Sequence, residues 1–132
     1  MHNKRILLID DDASVTEMLK LNLEQVGKYS VSVENDPAAA LGAARDFRPD
    51  LILLDVMMPG MDGGDVAAVL ASDSGIRETP IIFLTALVSQ EESPSGGLLN
   101  RQHRMLPKGM PIDELIEQIE GTMAEAAAGG RL

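Results

Sequence analysis

The feature that most constrains this chain is a repeated pairing of a short apolar run with a longer stretch of helical periodicity. The apolar runs lie at residues 5–9, 51–54 and 80–84. Runs of this kind are typical of strands that are buried on both faces of a sheet, because helices cover both sides. Since strands and helices alternate along the chain, the pattern predicts an α/β domain with a doubly wound parallel sheet.

Weaker signals complete this sheet. Residues 29–33 alternate between apolar and polar side chains, which indicates a strand nearer the sheet edge, and residues 105–106 form a minimal strand. Helices are expected at residues 13–26, 37–45, 64–72 and from Pro111 onward. A further helix is expected between residues 91 and 104. Residues 93–97 read Ser-Pro-Ser-Gly-Gly, so we expect that helix to be short or irregular.

The 132 residues suit one domain, which we assign to residues 1–124. Residues 125–132 contain small residues and two glycines, and we expect this tail to fray. Cysteine is absent, which excludes disulfides, thiolate catalysis and cysteine-ligated metals. The sequence has neither an apolar run of about 20 residues nor a signal-peptide core, so we interpret the protein as cytoplasmic, without a membrane partner.

The net charge of −10 argues against direct binding of nucleic acid, because no cluster of Lys and Arg offers a basic footprint for phosphates. The acidic excess itself leaves two interpretations open. It can serve solubility alone, or it can reflect carboxylates gathered around a cation.

Polar residues follow four of the predicted strands. They are Asp10, Asp11, Asp55, Thr85 and Lys108. Taken singly, each has a simpler structural explanation: the first acidic run, through Asp12, can cap a helix, Asp55 can begin a turn, and Lys108 can be a solvated charge. In open α/β sheets, however, the functional crevice lies at the carboxyl ends of the strands. Their joint occurrence at these ends therefore favours a common site.

The residue types at these strand ends suit one kind of chemistry. Two or three carboxylates with a backbone carbonyl form a hard oxygen site of the kind that Mg²⁺ prefers. A carboxylate is also a competent nucleophile for forming an aspartyl phosphate. Phosphoryl transfer needs mainly positioning and charge neutralisation, which the Lys108 ammonium and the Thr85 hydroxyl would supply beside the cation.

Four segments of the chain resemble response-regulator receiver domains. They are ILLIDDD at residues 6–12, LILLDVMMPGMDG at 51–63, LTA at 84–86 and PK at 107–108, and the likeness spans roughly residues 4–124. The resemblance implies a flavodoxin-like fold with strand order 2-1-3-4-5 and five flanking helices. It implies a signalling domain of two-component systems rather than an enzyme, with any catalysis confined to its own phosphoryl transfer and autodephosphorylation.

The resemblance also implies partners and residue roles. Asp55 would take a phosphoryl group from a sensor histidine kinase or phosphotransfer protein, and the phosphorylated domain would signal by contacting another protein. The implied ligands of the Mg²⁺ cofactor are Asp11, Asp55 and the backbone carbonyl of Met57, with Asp10 acting mainly through water. The implied neighbours of the phosphoryl group are Thr85, Lys108 and Ala86, the last of which keeps the approach to Asp55 open.

Two positions near Lys108 depart from the family pattern. Met105 occupies the switch position, where the family usually has an aromatic residue. Gly109 stands where the family usually has a proline joined to the lysine through a cis bond. A cis bond before glycine would cost about 2.5–4 kcal/mol, against about 0.5–1 kcal/mol before proline. The bond is therefore either cis and strained, or trans with Lys108 redirected.

Two alternatives to a phosphoacceptor remain at this level. The first is a pseudo-receiver, a binding module that keeps the pocket but makes constitutive contacts with its partner. The second is a phosphatase of the haloacid dehalogenase type, which also uses Asp, Mg²⁺, Thr and Lys. That enzyme class needs a second aspartate two residues after the nucleophile, and Met57 occupies this position here.

Overall fold

Five parallel strands form a single sheet in the computed structural model, which describes residues 3–58, 60–86 and 104–129. The elements in chain order are β1 (Lys4–Ile9), α1 (Ala13–Gln25), β2 (Tyr29–Glu34), a 3-10 turn (Pro37–Ala39), α2 (Ala40–Phe47), β3 (Leu51–Asp55), α3 (Gly63–Ala71), β4 (Ile81–Thr85), β5 (Arg104–Pro107) and α4 (Ile112–Gly129). The strand order is β2-β1-β3-β4-β5. The predicted doubly wound sheet and its order are therefore confirmed.

Helices cover both faces of this sheet because successive residues of the central strands point to opposite sides. Every residue of β3 and of β4 is buried. One core cluster lies between the sheet and helices α1 and α4, and its residues from β1 and β3 are Ile6, Leu8, Leu51 and Leu53. The other lies between the sheet and helices α2 and α3, and its residues from the same strands are Leu7, Ile9, Ile52 and Leu54.

Polar caps fix where two of the helices begin. The Asp12 side chain accepts hydrogen bonds from the backbone N–H groups of Ser14 and Val15, which satisfies donors that have no partner inside α1. Asp62 and Asp65 form a reciprocal capping box at the start of α3. Asp12 is therefore a helix cap, as the sequence indicates, and α1 begins directly beside the end of β1.

The structure differs from the sequence-based assignment at two helices. The segment after Asp36 begins with a 3-10 turn, Pro37–Ala39, before α2 starts at Ala40. The final helix continues to Gly129, so residues 125–129 are helical although we expected a frayed tail. Alanines at 124 and 126–128 favour this continuation because alanine has the highest helix propensity.

Other expectations fall partly outside the described residues. The helix expected between β4 and β5 belongs to residues 87–103, which the structure does not describe, as does the end of the tail at 130–132. The described ranges contain four α-helices. None of the helices in these ranges has the length and apolar character needed to cross a membrane. The described backbone has no cis peptide bond, so the bond between Lys108 and Gly109 is trans.

The start of α3 lies against the end of β3 without room for a side chain. The Gly63 N–H donates a hydrogen bond to the Val56 carbonyl at 2.8 Å. A Cβ atom on Gly63 would lie 2.7 Å from the Asp55 carbonyl oxygen and 2.9 Å from the Val56 Cα atom. Both obstacles are backbone atoms, so a side chain here requires the two segments to separate.

We predict that Gly63→Ala lowers the free energy of unfolding by about 1–3 kcal/mol, because the added methyl group overpacks a backbone contact. The matched control is Gly64→Ala, whose added Cβ would meet only the Asp62 side chain, at 3.3 Å. Urea unfolding followed by circular dichroism measures both variants. Equal midpoints for the two variants would contradict the predicted steric conflict.

Candidate functional site

Parallel register brings the carboxyl ends of four strands to one edge of the sheet. Ile9 pairs with Leu54, Asp55 pairs with Leu84, and Thr85 pairs with Pro107. The residues that follow these positions are therefore neighbours. The Lys108 N–H also donates to the Thr85 carbonyl at 2.8 Å, which holds the end of β5 beside the end of β4.

Lys108 bridges two of the predicted site carboxylates. Its Nζ atom lies 2.8 Å from Asp10 Oδ2 and 3.3 Å from Asp55 Oδ1. Burial disfavours the charged ammonium, but the hydrogen bond to Asp10 and the charges of Asp55 and Asp10 outweigh it, so the pKa of Lys108 is raised. The trans bond before Gly109 therefore leaves Lys108 directed into the site, and the expectation that a trans bond redirects it is wrong.

Asp10 is buried and already engaged through both carboxylate oxygens. Oδ1 accepts a hydrogen bond from the Asp12 N–H at 2.9 Å, and Oδ2 lies 2.8 Å from the Lys108 ammonium, an ion pair whose angles do not meet those of a hydrogen bond. This arrangement ties the turn after β1 to the end of β5. Because both of its oxygens already have polar neighbours, Asp10 is less able than the exposed Asp11 to bind a cation directly.

Asp55 is 2% exposed, and its two oxygens have different surroundings. Oδ1 accepts a hydrogen bond from the Met57 N–H at 3.3 Å and lies near Lys108. Oδ2 is buried without a hydrogen-bond partner among the described residues. Burial first, and then the charge of Asp10, raise the pKa of Asp55 to about 6, although Lys108 and the Met57 N–H oppose this shift.

Asp11 adds a third carboxylate, exposed at the mouth of the site. One oxygen from each of Asp10, Asp11 and Asp55 lies within 4.8 Å of the others. Three carboxylates face one ammonium, so negative charge is in excess when all are ionised. This crowding of carboxylate oxygens fits a hard divalent cation such as Mg²⁺, which takes carboxylate oxygens and keeps several waters.

The remaining predicted residues surround this cluster. Thr85 is buried at the end of β4, and Ala86 follows it at the surface. Met57 lies in the loop after β3, and its side chain is 65% exposed. Met105, the predicted switch position, is half-buried in β5 and packs against the core cluster beneath α2 and α3.

One residue of the site was missed in the sequence. Asn35 donates hydrogen bonds from its side-chain amide to the Asp10 carbonyl at 2.7 Å and to Thr16 Oγ1 at 3.1 Å. It follows β2 directly, so it obeys the same rule that identified the other site residues, a polar side chain just past a strand end. The predicted strand at residues 29–33 was the signal that could have found it.

Residues 6–120 match the family of the response regulator receiver domain. The chain therefore belongs to this family, whose members are signalling domains of two-component systems. The five-stranded parallel fold is also that of the solved receiver domains described below.

Curated relatives with similar sequences are response regulators. The chain is 52% identical over 83 residues to the DNA-binding response regulator MtrA of Mycobacterium tuberculosis, covering 63% of this chain and 35% of that protein. It is 40% identical over 119 residues to the response regulator MprA of Mycobacterium leprae, covering 90% of this chain and 50% of that protein. The chain thus spans a half or less of these relatives. Because MtrA is named as DNA-binding, the expectation of no nucleic-acid contact gains no support from the relatives.

Solved receiver domains share the architecture. The Francisella response regulator 1452 receiver domain has a TM-score of 0.77 and 31% identity, and the match covers 93% of this chain and 98% of that chain. The Vibrio cholerae chemotaxis protein CheY4 has a TM-score of 0.79 and 28% identity, covering 91% and 98% respectively. These likenesses extend over nearly the whole of each solved chain.

We predict that Asp55→Asn stabilises the cation-free protein at neutral pH. The pKa of Asp55 is raised from 3.8 to about 6. Between these two pH values the folded state therefore holds a proton that the unfolded state has released. The resulting stabilisation is complete below about pH 3.8 and is lost as the pH rises through about 6. Asn removes the buried charge, so the variant should gain about 1–3 kcal/mol near neutral pH, with the gain vanishing toward about pH 4.

Urea unfolding in EDTA, from about pH 4 to neutral pH, measures the effect. Asp73→Asn is the control, because its effect on stability should have the opposite sign. The hydrogen bond from Arg45 and that from the Gly75 N–H lower the pKa of Asp73. Its ionised form therefore stabilises the fold above its usual pKa, and this contribution is lost as the pH falls. Asp73→Asn should thus be less stable than the unsubstituted protein at neutral pH. A stability change of the same sign in both variants would contradict the assignment of charge burial at Asp55.

Proposed function

We propose that Asp55 accepts a phosphoryl group, in a Mg²⁺-dependent reaction, from a sensor histidine kinase or a phosphotransfer protein. The observation that carries this proposal is the asymmetry of the Asp55 carboxylate. One oxygen is oriented by the Met57 N–H and Lys108, while Oδ2 has no hydrogen-bond partner in the described part of the chain. An oxygen held in place but not already bonded is suited to nucleophilic attack.

The cation would be held by Asp11, Asp55 and the backbone carbonyl of Met57, with Asp10 acting mainly through water. The engagement of both Asp10 oxygens supports this division of roles, because Asp11 is the exposed member of the cluster. When bound, Mg²⁺ would neutralise charge on the oxygens of the transferred phosphoryl group.

The transfer step forms a bond between Asp55 Oδ2 and phosphorus while the bond between phosphorus and the donor histidine nitrogen breaks. That nitrogen keeps the bonding electron pair, and the histidine leaves as a neutral imidazole with its proton on the other ring nitrogen. Lys108 remains an ammonium at neutral pH because its pKa is raised, and it would follow the negative charge onto the phosphoryl oxygens. Thr85 would donate its hydroxyl, and the small Ala86 leaves the approach open.

The output is a phosphorylation-dependent contact with another protein. In the unphosphorylated state Lys108 links the end of β5 to β1 and β3 through Asp10 and Asp55. Moving its charge toward a phosphoryl group would weaken these links and change the relative populations of two arrangements of the β5 end. Met105 lies three residues before Lys108 in the same segment, which supports its assignment as the switch position.

We predict that incubating the full chain with Mg²⁺ and acetyl phosphate adds the mass of one phosphoryl group. Intact-mass spectrometry should show the adduct in the unsubstituted protein and none in Asp55→Asn or in EDTA. Lys108→Met should slow phosphorylation about 100-fold, because one preorganised positive group is lost from the transition state. Lys4→Met is the matched control, since Lys4 is an exposed lysine at the opposite end of β1 and should leave the rate unchanged.

Three outcomes would overturn this proposal. A protein that folds but gains no phosphoryl mass would instead be a binding module with constitutive contacts. An adduct that persists in Asp55→Asn would place the acceptor elsewhere. Multiple turnover of a generic phosphate ester would indicate a phosphatase rather than a phosphoacceptor.

A further inference from the structure

Asn35 joins three separate segments beside the cluster of Asp10, Asp11 and Asp55. Its Nδ2 atom lies 2.7 Å from the Asp10 carbonyl oxygen, in the turn after β1, and 3.1 Å from Thr16 Oγ1, in the first turns of α1. Asn35 itself follows the last residue of β2, Glu34. The edge strand is therefore connected to the segment that presents Asp11 to the site.

The chemistry of the acceptors fixes the orientation of the Asn35 amide. A backbone carbonyl can only accept, so the NH₂ group of Asn35 must face Asp10. The Thr16 hydroxyl has one proton, which it donates to the Ala13 carbonyl at 3.1 Å, and its oxygen is then free to accept from Asn35. Both amide hydrogens of Asn35 are thus used, and reversing the amide would break both bonds.

The accepting carbonyl belongs to the peptide that joins Asp10 to Asp11. The N–H of Asp10 donates to the Glu34 carbonyl at 3.2 Å. Both the N–H and the carbonyl of Asp10 are therefore held by residues at the end of β2, Glu34 and Asn35. Rotation of the peptide between Asp10 and Asp11 would move the Asp11 carboxylate. The Asp11 side chain is exposed and makes no hydrogen bond or ion pair within the described ranges. Its position therefore depends on the two peptides that flank it, this one and the peptide between Asp11 and Asp12, whose N–H donates to Asp10 Oδ1.

We propose that Asn35 is a positioning residue for the cation site: it fixes the peptide before Asp11 and thereby sets the affinity of the site for Mg²⁺. The inference rests on the proposed function, because it presumes that Asp11 binds the ion. Residues that orient metal ligands without touching the metal commonly change its affinity by 10-fold or more when they are replaced. Asn35 acts on the ligand through its backbone.

The test is a MgCl₂ titration of the full chain, followed by amide chemical shifts in ¹H–¹⁵N NMR spectra. Asn35→Ala should raise the dissociation constant of Mg²⁺ about 10-fold. The Asn35 side chain is exposed, so its removal leaves both core clusters intact and the cation-free variant folded. Asn22→Ala, the same substitution in the middle of α1, should leave the dissociation constant unchanged.

A second measurement separates positioning of the ion from a general structural defect. The rate of phosphorylation by acetyl phosphate is measured against Mg²⁺ concentration. Asn35→Ala should need about 10-fold more Mg²⁺ for half-maximal rate while recovering most of the rate at saturation. A rate deficit that persists equally at all Mg²⁺ concentrations would overturn the inference.

Asp11→Asn distinguishes failure of this inference from failure of the proposed function. If the unsubstituted protein shows no Mg²⁺ binding that depends on Asp11, the proposed function fails and the inference fails with it. If that binding is present and Asn35→Ala has the same dissociation constant as the unsubstituted protein, the inference alone is overturned.

Discussion

Three carboxylates and one ammonium meet where the parallel strands end, and the local structure is organised around this imbalance of charge. Lys108 approaches both Asp10 and Asp55, but a single positive charge cannot compensate three negative ones. The uncompensated negative charge costs most at Asp55, because burial removes the water that would otherwise screen it. A protein that keeps such a cluster gives up stability in the cation-free state, and a bound cation restores it by mass action.

The sheet explains why the imbalance falls on Asp55 rather than on Asp11. The strand that carries Asp55 is the central one, buried along its whole length between two helical layers. Asp11 lies one residue farther from its strand than Asp10 and reaches solvent. The same edge of the sheet therefore offers two buried carboxylates, Asp10 and Asp55, and one in water, Asp11. The burial of Asp55 and the exposure of Asp11 therefore follow from position in the fold rather than from residue type.

Much of this arrangement could be predicted from the sequence. It depends on local patterns and on the rule that the functional crevice of an open α/β sheet lies at the carboxyl ends of its strands. The apolar runs identify the central strands, and the polar residues after them converge once the strands are parallel. What could not be predicted depends on geometry between segments. The direction of Lys108 follows from how β5 is held by the Thr85 carbonyl, which no motif encodes. Asn35 follows a predicted strand, so its place at this edge could be predicted, but its hydrogen bonds to the Asp10 carbonyl and Thr16 Oγ1 depend on how β2 lies beside β1 and α1.

The contact between Gly63 and the backbone at Asp55 has a mechanical consequence. Because there is no room for a Cβ atom on Gly63 and its N–H donates to the Val56 carbonyl, the beginning of α3 is in direct backbone contact with the end of β3. A displacement of the first turn of α3 would therefore also displace the backbone at Asp55, because backbone atoms of the two segments are in contact. The first turn of α3 and the residue that carries the Asp55 carboxylate are thus coupled through backbone contacts.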